Sequence, residues 1–469
     1  MAEWRRPLLA AGLRLANPVT HRELLLLRRL DRAPAGVVQA LHEERLTALL
    51  RHAWGTTVYY RRVLAEAGVV RDGGAVVDLA RFVDIPFLTK DVIRDQFDSL
   101  TSTALPQGRR AYANSSGGST GQPTRFLQDN HYWDVNVATK LFHFEWFGKG
   151  LGDRELKIWG SEYDLIKGRE GIVPRAKAWL YNRRSEQCFA LPVERMEEIV
   201  AAINGFRPKL IWAYRDGIDV VAQDINRRGL SVHRPAAVFV GGGTIYPHIV
   251  ESVGRAFGAP VVNHYGSREM GDVACQCPEE GDGLHVSANS HKVEIVDRDG
   301  QPVMGEEGEV VVTSLHNYAM PLIRYQIGDR AEALPARCRC GRGTPMIGPV
   351  SGRVIERLVN ARGDSVDAMY LIHLVGVVAN DGFVRRFQVV QEAPDRLAIN
   401  IVLEDGFTPA SVEPRLPPIS EKIRLLMGPA CRVDYHFVDG IPLTRSGKHP
   451  YVVRRGAATA AEPTEATAA

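Results

Sequence analysis

The chain of 469 residues is 45% hydrophobic and 24% charged, and its formal net charge at pH 7 is +3. This composition is typical of a globular protein with a large core and two domains, and the small net charge without a basic cluster argues against nucleic acid as a partner. No uncharged apolar run is long enough to span a bilayer, so we expect no membrane insertion. The segment PLLAAGLRLA is weakly similar to a signal peptide, but Arg14 interrupts its short apolar run. We therefore expect a cytoplasmic protein.

The first part of the chain is predicted to contain helices and then a hairpin. Apolar residues recur at three- and four-residue spacing between Arg22 and Gly68, which predicts helices. Strands are predicted over 109–114 and 124–128, on either side of a segment rich in glycine and serine. Asn130 is predicted to cap the helix that follows, which carries the aromatic-rich sequence YWDVNVATKLFHFEWF.

A βαβ unit is predicted near the middle of the chain. The strand AAVFV, the glycine turn GGGT, a helix over 247–257 and the strand APVVNHY follow one another. This order predicts a parallel sheet with ligands near the strand ends. Antiparallel strands are predicted at HKVEIVD and GEVVVTSL, which would form a β-subdomain.

The pattern changes after the pair Gly352-Arg353. Strands at RRFQVVQ, RLAINIVLE and RVDYHFV and a helix near SEKIRLLM predict a small α+β unit. We therefore predict an α/β protein with a large amino-terminal domain of α/β layers over residues 1–353, helical over about 1–100, and a small, mobile carboxy-terminal domain over 354–455. The low-complexity tail at 456–469 is expected to be disordered.

The segment NSSGGSTGQPTRF, from Asn114 to Phe126, lies between the two predicted hairpin strands. It is not a Walker loop, because it lacks the lysine and leads into a strand. It is not a Rossmann fingerprint either, because no helix follows it directly. A hairpin loop whose backbone N–H groups and hydroxyls wrap a polyphosphate remains, with a plain flexible turn as the alternative.

Three further segments carry chemistry that suits a nucleotide site. HYGSREMG contains Tyr265, which can stack on a planar ring, and Glu269, which can hold a metal ion near phosphates. IRYQIGDR places Asp329 in a predicted turn after a strand, where a carboxylate can accept hydrogen bonds from ribose hydroxyls. PLTRSGKHP places Lys448 in a glycine-containing loop. A solvated Arg–Glu pair, a plain Gly-Asp turn and a solvated lysine are the respective structural alternatives.

Taken in this order, SSGGSTGQPT, HYGSRE, YQIGD, SGR at 351–353 and PLTRSGK resemble the adenylate-forming superfamily of acyl-CoA synthetases, aryl-acid ligases and adenylation domains. These motifs extend over most of the chain, and several signatures in order are more specific than any one of them. RHAWGTTVYYR, IPFLTK and CRCGR are most similar to the phenylacetate–CoA ligase family, in particular to its branch linked with capsular polysaccharide biosynthesis.

The resemblance implies an ATP-dependent ligase that activates a carboxylic acid as an acyl adenylate, releases pyrophosphate and transfers the acyl group to a thiol. It implies that Lys448, on the mobile domain, contacts the carboxylate and the α-phosphate, and that Glu269 binds Mg²⁺. It assigns the β- and γ-phosphates of ATP to Ser115, Ser116, Gly117, Gly118, Ser119, Thr120 and Gly121. It assigns the rest of the nucleotide to Gly241, Gly242, Gly243, Tyr265, Gly266 and Ser267 near the adenine and to Asp329 and Arg353 at the ribose.

The chemistry explains these residue types. A carboxylate that attacks ATP brings negative charge against negative charge, and Mg²⁺ and a lysine offset the repulsion. A lysine on a movable domain can also leave, so that the same cleft then admits the acceptor. The sequence departs from the family pattern at three positions: Gln122 replaces a basic residue, Gly243 or Thr244 replaces a glutamate beside the adenine, and Ile355 lies where an acidic hinge residue is usual.

The cysteines predict a metal site. CQCPEEGDGLH and CRCGR supply thiolates and an imidazole in two compact clusters, and structural zinc takes four such ligands. We predict a structural Zn²⁺ on Cys277, His285, Cys338 and Cys340, with Cys275 as the alternative ligand. Buried or solvated thiols without metal are the structural alternative. Cys188 and Cys431 have no predicted partners and are expected to pack in the core.

The acyl pocket is expected between the aromatic helix and the βαβ turn, where the candidate residues are Trp133, Phe144, Trp159, Tyr163 and Trp212. Aromatic residues on such elements are more often core than pocket. A small aromatic carboxylic acid suits the resemblance, and a fatty acid or an amino acid stays open. The acceptor is CoA, a carrier-protein thiol or an amine. An amide-forming ligase, a catalytically silent zinc-containing scaffold and a homodimer are alternatives that the sequence leaves open.

Overall fold

The computed structural model describes residues 5–115, 124–159, 178–188, 193–279, 281, 283–335, 338–353, 357–363, 365–368, 371, 375, 383–442 and 449–455. In chain order, the helices of the described residues are α1 Arg5–Ala16, α2 Pro18–Leu30, α3 Ala35–Thr56, α4 Val58–Glu66, α5 Lys90–Asp95, α6 Phe97–Leu100, α7 Asn130–Trp146, α8 Val193–Phe206, α9 Arg215–Arg228, α10 Pro247–Phe257, α11 Pro409–Val412 and α12 Pro417–Met427. None of these helices is long and apolar enough to cross a membrane.

Most of the strand residues in the described part of the chain lie in its second and third quarters. The strands are β1 Val70–Arg71, β2 Val76–Val77, β3 Ala111–Ser115, β4 Arg125–Asp129, β5 Glu155–Ile158, β6 Arg183–Glu186, β7 Leu210–Tyr214, β8 Ala237–Gly241, β9 Val261–Ser267, β10 Gly271–Gln276, β11 Leu284–Val286, β12 His291–Val296, β13 Glu307–Ser314, β14 Tyr325–Leu334, β15 Met346–Ile347, β16 Gly352–Arg353, β17 Arg357–Val359, β18 Ser365–Asp367, β19 Val384–Ala393, β20 Arg396–Leu403, β21 Arg432–Phe437 and β22 Val452–Arg454.

The chain divides into two compact units. Of the described residues, the first unit contains those within 5–245 and 249–352, and the second contains 246–248 and those within 353–442 and 449–455.

The central sheet of the first unit has strands in the order β12-β13-β14-β15-β11-β10-β9-β8-β7-β5-β6, and β16 pairs with β14. The strands β6, β5, β7, β8 and β9 are parallel. From β9 onward the pairs β9–β10, β10–β11, β12–β13 and β13–β14 are antiparallel. The predicted βαβ unit and the predicted antiparallel strands therefore both form, within one sheet. The carboxyl ends of the parallel strands lie at one edge, where ligands of such sheets bind.

Buried apolar side chains hold the amino-terminal helices against this sheet. Leu49 and Leu50 of α3, Leu64 of α4 and Tyr325 of β14 are fully or almost fully buried in one cluster. Such burial stabilises the fold by about 1.5–3 kcal/mol for each large apolar side chain. The predicted helices over 22–68 correspond to α2, α3 and α4.

Helix α7 lies across the parallel part of the sheet. Its first turn is capped by Asp129, whose Oδ1 accepts a hydrogen bond from Tyr132 N at 2.9 Å. The prediction that Asn130 is the cap was wrong by one residue, because Asn130 Oδ1 instead accepts a hydrogen bond from Arg110 N at 2.7 Å. Both residue types favour caps and turns, so the sequence alone does not separate them. Phe144 of α7 packs edge-to-face on Phe239 of β8, with ring centroids 4.9 Å apart.

The second unit is built on the sheet β21-β20-β19-β22. β19 and β20 are antiparallel, and β21 and β22 add to them in parallel. Helix α12 buries Ile419, Ile423 and Met427 on one side. Its Ser420 Oγ lies 2.9 Å from Tyr435 Oη of β21, so the helix and the sheet are joined by polar as well as apolar contacts.

Candidate functional site

The base of the glycine-rich hairpin is fixed to the turn that carries Glu269. β3 and β4 pair in register from Ala111 opposite Asp129 to Ser115 opposite Arg125. Asn114 Nδ2 donates to Gln128 Oε1 at 3.0 Å. Gln128 Nε2 in turn donates to the carbonyls of Arg268 at 3.0 Å and Glu269 at 3.2 Å. Two motifs about 140 residues apart in sequence are thus joined by one buried amide.

Glu269 itself is only 7% exposed. Tyr325 Oη lies 3.4 Å from Glu269 Oε1, and Tyr132 Oη donates to the Glu269 carbonyl at 3.2 Å. The turn that carries Glu269 ends at Gly271, whose φ is +75°, and a Cβ there would lie 2.1 Å from Asn136 Oδ1. Glycine is therefore required at 271, and the close packing on α7 holds the carboxylate of Glu269 at a defined place.

Tyr265 and Asp329 meet although 64 residues separate them. Tyr265 Oη donates to Asp329 Oδ2 at 2.9 Å. Asp329 was predicted in a turn after a strand, and this was wrong, because β14 continues through it. The pairing of β13 with β14 shifts register between Glu309 and Val311, and this irregularity lets the strand pass through Gly328 at φ +85°.

The predicted glycine turn after β8 lies against Tyr214 and Arg215. Gly242 has φ +87°, and a Cβ on it would lie 2.3 Å from the ring of Tyr214. A Cβ on Gly243 would lie 2.8 Å from Arg215 Cζ. Arg215 Nη1 donates to the carbonyl of Thr244 at 3.1 Å. The absence of side chains at 242 and 243 thus allows the turn to approach the start of α9 closely.

The aromatic candidates for the acyl pocket have different environments. Phe144 is fully buried and belongs to the core, whereas Trp133 is 57% exposed. Trp159 and Trp212 are half-buried, and their ring centroids lie 4.8 Å apart. Trp159 also contacts Tyr214 edge-on at 5.2 Å. Trp159 directly follows β5, and Trp212 lies in the middle of β7.

Several predicted site residues lie outside the described part of the chain: Ser116, Gly117, Gly118, Ser119, Thr120, Gly121, Tyr163, Ile355 and Lys448, together with the tail at 456–469. The backbone of Arg353 lies in β16, and its side chain is also outside the description. The structure thus brings together the hairpin base, the turn at 265–271 and Asp329.

A second cluster gathers thiols and an imidazole. One ligand atom from each of Cys277, His285, Cys338 and Cys340 lies within 4.8 Å of every other. Cys277 Sγ is 3.6 Å from Cys338 Sγ, and Cys340 Sγ is 3.3 Å from His285 Nε2. Zinc bonds of about 2.3 Å to sulfur and 2.0–2.1 Å to nitrogen at tetrahedral angles require ligand separations of about 3.4–3.8 Å. The two measured separations are close to this range, which suits a tetrahedral ion.

The surroundings of this cluster suit a metal ligand set. His285 Nδ1 lies 2.9 Å from Thr344 Oγ1, which leaves Nε2 directed to the thiols. Burial lowers the pKa of His285 to about 4, so the imidazole is neutral at pH 7. Cys275 is fully buried and packs in the apolar cluster with Phe144 and Phe239 instead.

Sequence reasoning missed the residues that hold these groups in place. Gln128, Asn136 and Tyr325 fix the turn at Glu269, yet each occupies an ordinary position in a helix or strand pattern. Their partners lie in remote segments, so no local signal identifies them.

Residues 358–455 match the family model of the CapK C-terminal domain. The chain is 30% identical to the phenylacetate–coenzyme A ligase of Thermus thermophilus over 355 residues, which span 73% of this chain and 77% of that protein. The chain belongs to the phenylacetate–CoA ligase family. The resemblance found in the sequence motifs is therefore confirmed.

Two further proteins are similar to this chain. The chain is 21% identical to protein CapK of Staphylococcus aureus over 421 residues, which span 88% of each chain. The solved structure of a 2-hydroxyisobutyryl-CoA ligase in its postadenylation state matches with a TM-score of 0.72 at 19% identity and covers 92% of both chains. This match confirms the predicted α/β fold with its carboxy-terminal domain. As a member of this family, the protein is an adenylate-forming, ATP-dependent ligase of the acid–thiol class.

Proposed function

We propose that the protein activates a small carboxylic acid with ATP, releases pyrophosphate and transfers the acyl group of the adenylate to the thiol of CoA. The observation that carries this proposal is the polar connection from Asn114 through Gln128 to the Glu269 turn. A mere surface turn would have no need of a buried amide that fixes its base to a carboxylate-bearing turn. This connection supports a phosphate-binding role for the hairpin loop.

Each residue in the site is proposed to have a separate role. The loop from Ser115 to Gly121 offers backbone N–H groups and hydroxyls to the β- and γ-phosphates. Glu269 is proposed to hold Mg²⁺, since one carboxylate together with substrate phosphates is a common ligand set for this ion. Bound there, the ion would offset the negative charge of the phosphates.

The glycine turn at 241–243 and Tyr265 are proposed to bind the adenine, with Gly266 and Ser267 beside them. Asp329 is proposed to accept hydrogen bonds from the ribose, together with Arg353. The hydrogen bond from Tyr265 Oη holds the orientation of this carboxylate.

We also propose that the carboxy-terminal domain, residues 354–455, is a mobile lid that brings Lys448 to the reacting groups. The lysine would offset the charge that develops as the carboxylate oxygen bonds to the α-phosphorus and pyrophosphate leaves. Withdrawal of the lid would then open the cleft to the thiol.

The thiol–imidazole cluster is proposed to bind one structural Zn²⁺. All four ligand positions are filled by protein atoms, so no coordination position is left for water or substrate. The ion would join the end of β10, β11 and the segment before β15. The cysteines are free thiols, which suits a reducing cytoplasmic compartment.

The experiment that tests this function separates activation from transfer. The purified protein is incubated with ATP, Mg²⁺ and a panel of aryl, acyl and amino acids, with CoA or with an amine as acceptor. Acid-dependent AMP formation together with an acyl-CoA product, identified by mass spectrometry, is the expected result. An amide product without a thioester would overturn the thiol acceptor, and no acid-dependent AMP from any acid would overturn the activation step.

A further inference from the structure

The inner face of helix α1 is anchored to the rest of the first unit. Leu9 and Leu13 are buried, and Leu13 belongs with Phe142 of α7 to one apolar cluster. Arg6 Nη2 lies 3.3 Å from Asp153 Oδ1. These contacts determine which side of the helix faces solvent.

The outer face of α1 is apolar although it faces solvent. Leu8 is 54% exposed and Leu15 is 84% exposed. The two leucines are seven residues apart, so they lie on one side of the helix, and the exposed residue Ala11 lies between them. The outer face of a helix that packs on a globular protein is normally polar.

Exposed apolar side chains concentrate around this helix. Four leucines in the described part of the chain are exposed, and three of them lie on α1 and α2: Leu8, Leu15 and Leu25. Trp179 is 62% exposed and lies beside the first turn of α1, with Arg5 Cζ 5.1 Å from its ring centroid. Arg5 and Leu8 are neighbours on the helix surface, because they are three residues apart. A cluster of exposed apolar groups marks a contact with another molecule or with a membrane.

Positive charge accompanies the exposed leucines. Residues 5–32 contain seven arginines and two acidic residues, a net charge of +5, whereas the whole chain carries +3. Three of the arginines form ion pairs with carboxylates: Arg6, Arg28 and Arg32. Three others are exposed and form no ion pair with any described residue: Arg14, Arg22 and Arg29. These three charges are therefore available to a partner.

The available arginines border the exposed leucines. Arg14 directly precedes Leu15 on α1. On α2, Arg22 is three residues before Leu25 and Arg29 is four residues after it, so both are neighbours of that leucine on the helix surface. Apolar and cationic groups thus alternate along the outer sides of both helices.

This combination suits an anionic lipid surface better than a protein partner of the same sequence. Leucines of a surface helix enter the boundary between headgroups and acyl chains, and arginines are attracted to anionic headgroups. A second copy of the chain would place the same arginines against each other, and like charges repel. With 12 residues, α1 is long enough to lie on a membrane and too short to span one.

We propose that the outer side of α1 and α2 binds reversibly to membranes that contain anionic lipids. The membrane-binding surface consists of Leu8, Leu15, Leu25, Arg14, Arg22 and Arg29. None of these residues belongs to the candidate active site, so the proposal is independent of the proposed function. The ligase would then work at a membrane surface to which it is attached through its amino-terminal helices.

Flotation of the purified full-length protein with lipid vesicles tests this proposal. The vesicles consist of phosphatidylcholine alone or of equal parts of phosphatidylcholine and phosphatidylglycerol. At low ionic strength, wild-type protein should bind the anionic vesicles at least about 10-fold more strongly than the neutral ones. Added salt should weaken the binding, because it screens exposed charges.

Two variants test the two kinds of contact separately. Leu15→Glu should weaken binding at least about 10-fold, because it removes an apolar contact and adds a charge that anionic lipids repel. The double variant Arg14→Gln/Arg29→Gln should weaken binding to the anionic vesicles about 30-fold, since each arginine near such a surface contributes about fivefold.

Leu425→Glu is the matched control, because Leu425 is 82% exposed on α12 of the second unit and should be replaceable without effect on binding. All variants should keep the wild-type melting temperature. Failure of wild-type protein to float with the anionic vesicles, or equal binding to both kinds of vesicle, would overturn the proposal. A dimer in sedimentation that Leu15→Glu dissociates would assign this surface to a second copy of the chain and would also overturn it.

Discussion

Removal of one predicted zinc ligand provides a sharp test of the metal site. Cys340 is 2% exposed and lies 3.3 Å from His285 Nε2, so Cys340→Ser replaces a thiolate in the centre of the cluster. A ligand present at 1,000 times its Kd stabilises the folded state by about 4 kcal/mol. If the substitution weakens zinc binding 100-fold, about 2.7 kcal/mol of that stabilisation is lost. For a protein of this size the melting temperature should fall by about 3 °C.

The assay combines zinc content by mass spectrometry with thermal unfolding, each with and without a strong chelator. Wild-type protein should contain one zinc per chain and lose stability with the chelator, and Cys340→Ser should contain little zinc and respond little. Cys275→Ala is the matched control, because Cys275 lies in the same CQC segment but packs with Phe239, and it should retain the zinc. Wild-type protein without zinc, or a loss of zinc in Cys275→Ala alone, would refute the assigned ligand set.

Two further predictions follow from buried polar groups. Burial, with a contribution from Asp216, raises the pKa of Asp219 to about 7, and Asp219 Oδ1 has no hydrogen-bond partner among the described residues. In the folded protein Asp219 therefore keeps a proton that it releases in the unfolded protein. The contribution of Asp219 to the free energy of unfolding falls as the pH rises from about 4 to about 7. The free energy of unfolding of Asp219→Asn, measured with urea, should exceed that of wild type by a difference that grows over this pH range to at most about 4 kcal/mol. A difference that stays constant with pH would contradict a raised pKa for Asp219. Tyr265→Phe removes the hydrogen bond to Asp329 and should raise the KM for ATP about 10-fold with little change in melting temperature, and an unchanged KM would exclude Asp329 from the nucleotide site.

The sequence predicts those parts of the fold that local patterns determine. The βαβ unit is predicted because an apolar strand, a glycine turn and a helix follow one another, and the structure has α10 over Pro247–Phe257 as predicted. The cap of α7 is wrong by one residue because Asp129 and Asn130 are both good caps, and a contact with Arg110 decides between them.

The spacing of the cysteines predicts a metal cluster but does not decide between Cys275 and Cys277. Cys275 and Cys277 would face the same side of a continuous strand, so the sequence does not separate them. The structure separates them because β10 ends at Gln276, which leaves Cys275 in the sheet and Cys277 at its end.

The polar contacts that build the candidate active site were not predictable. Gln128 reaches Arg268 and Glu269, and Tyr265 reaches Asp329, across long stretches of chain. Spacing in a single sequence carries no record of such pairs, which depend on how α7 and the sheet pack.

The central claim is that the protein forms an acyl adenylate with Lys448 as the catalytic lysine. Exchange of labelled pyrophosphate into ATP, measured without any acceptor, tests this claim most directly. Wild-type protein should catalyse acid-dependent exchange, and Lys448→Ala should reduce its rate at least about 100-fold with an unchanged melting temperature. Lys422→Ala, which removes an exposed lysine on α12 of the same unit, is the matched control and should keep the wild-type rate. Exchange that survives in Lys448→Ala, or that is absent from the folded, zinc-loaded wild-type protein with every acid, would contradict the claim.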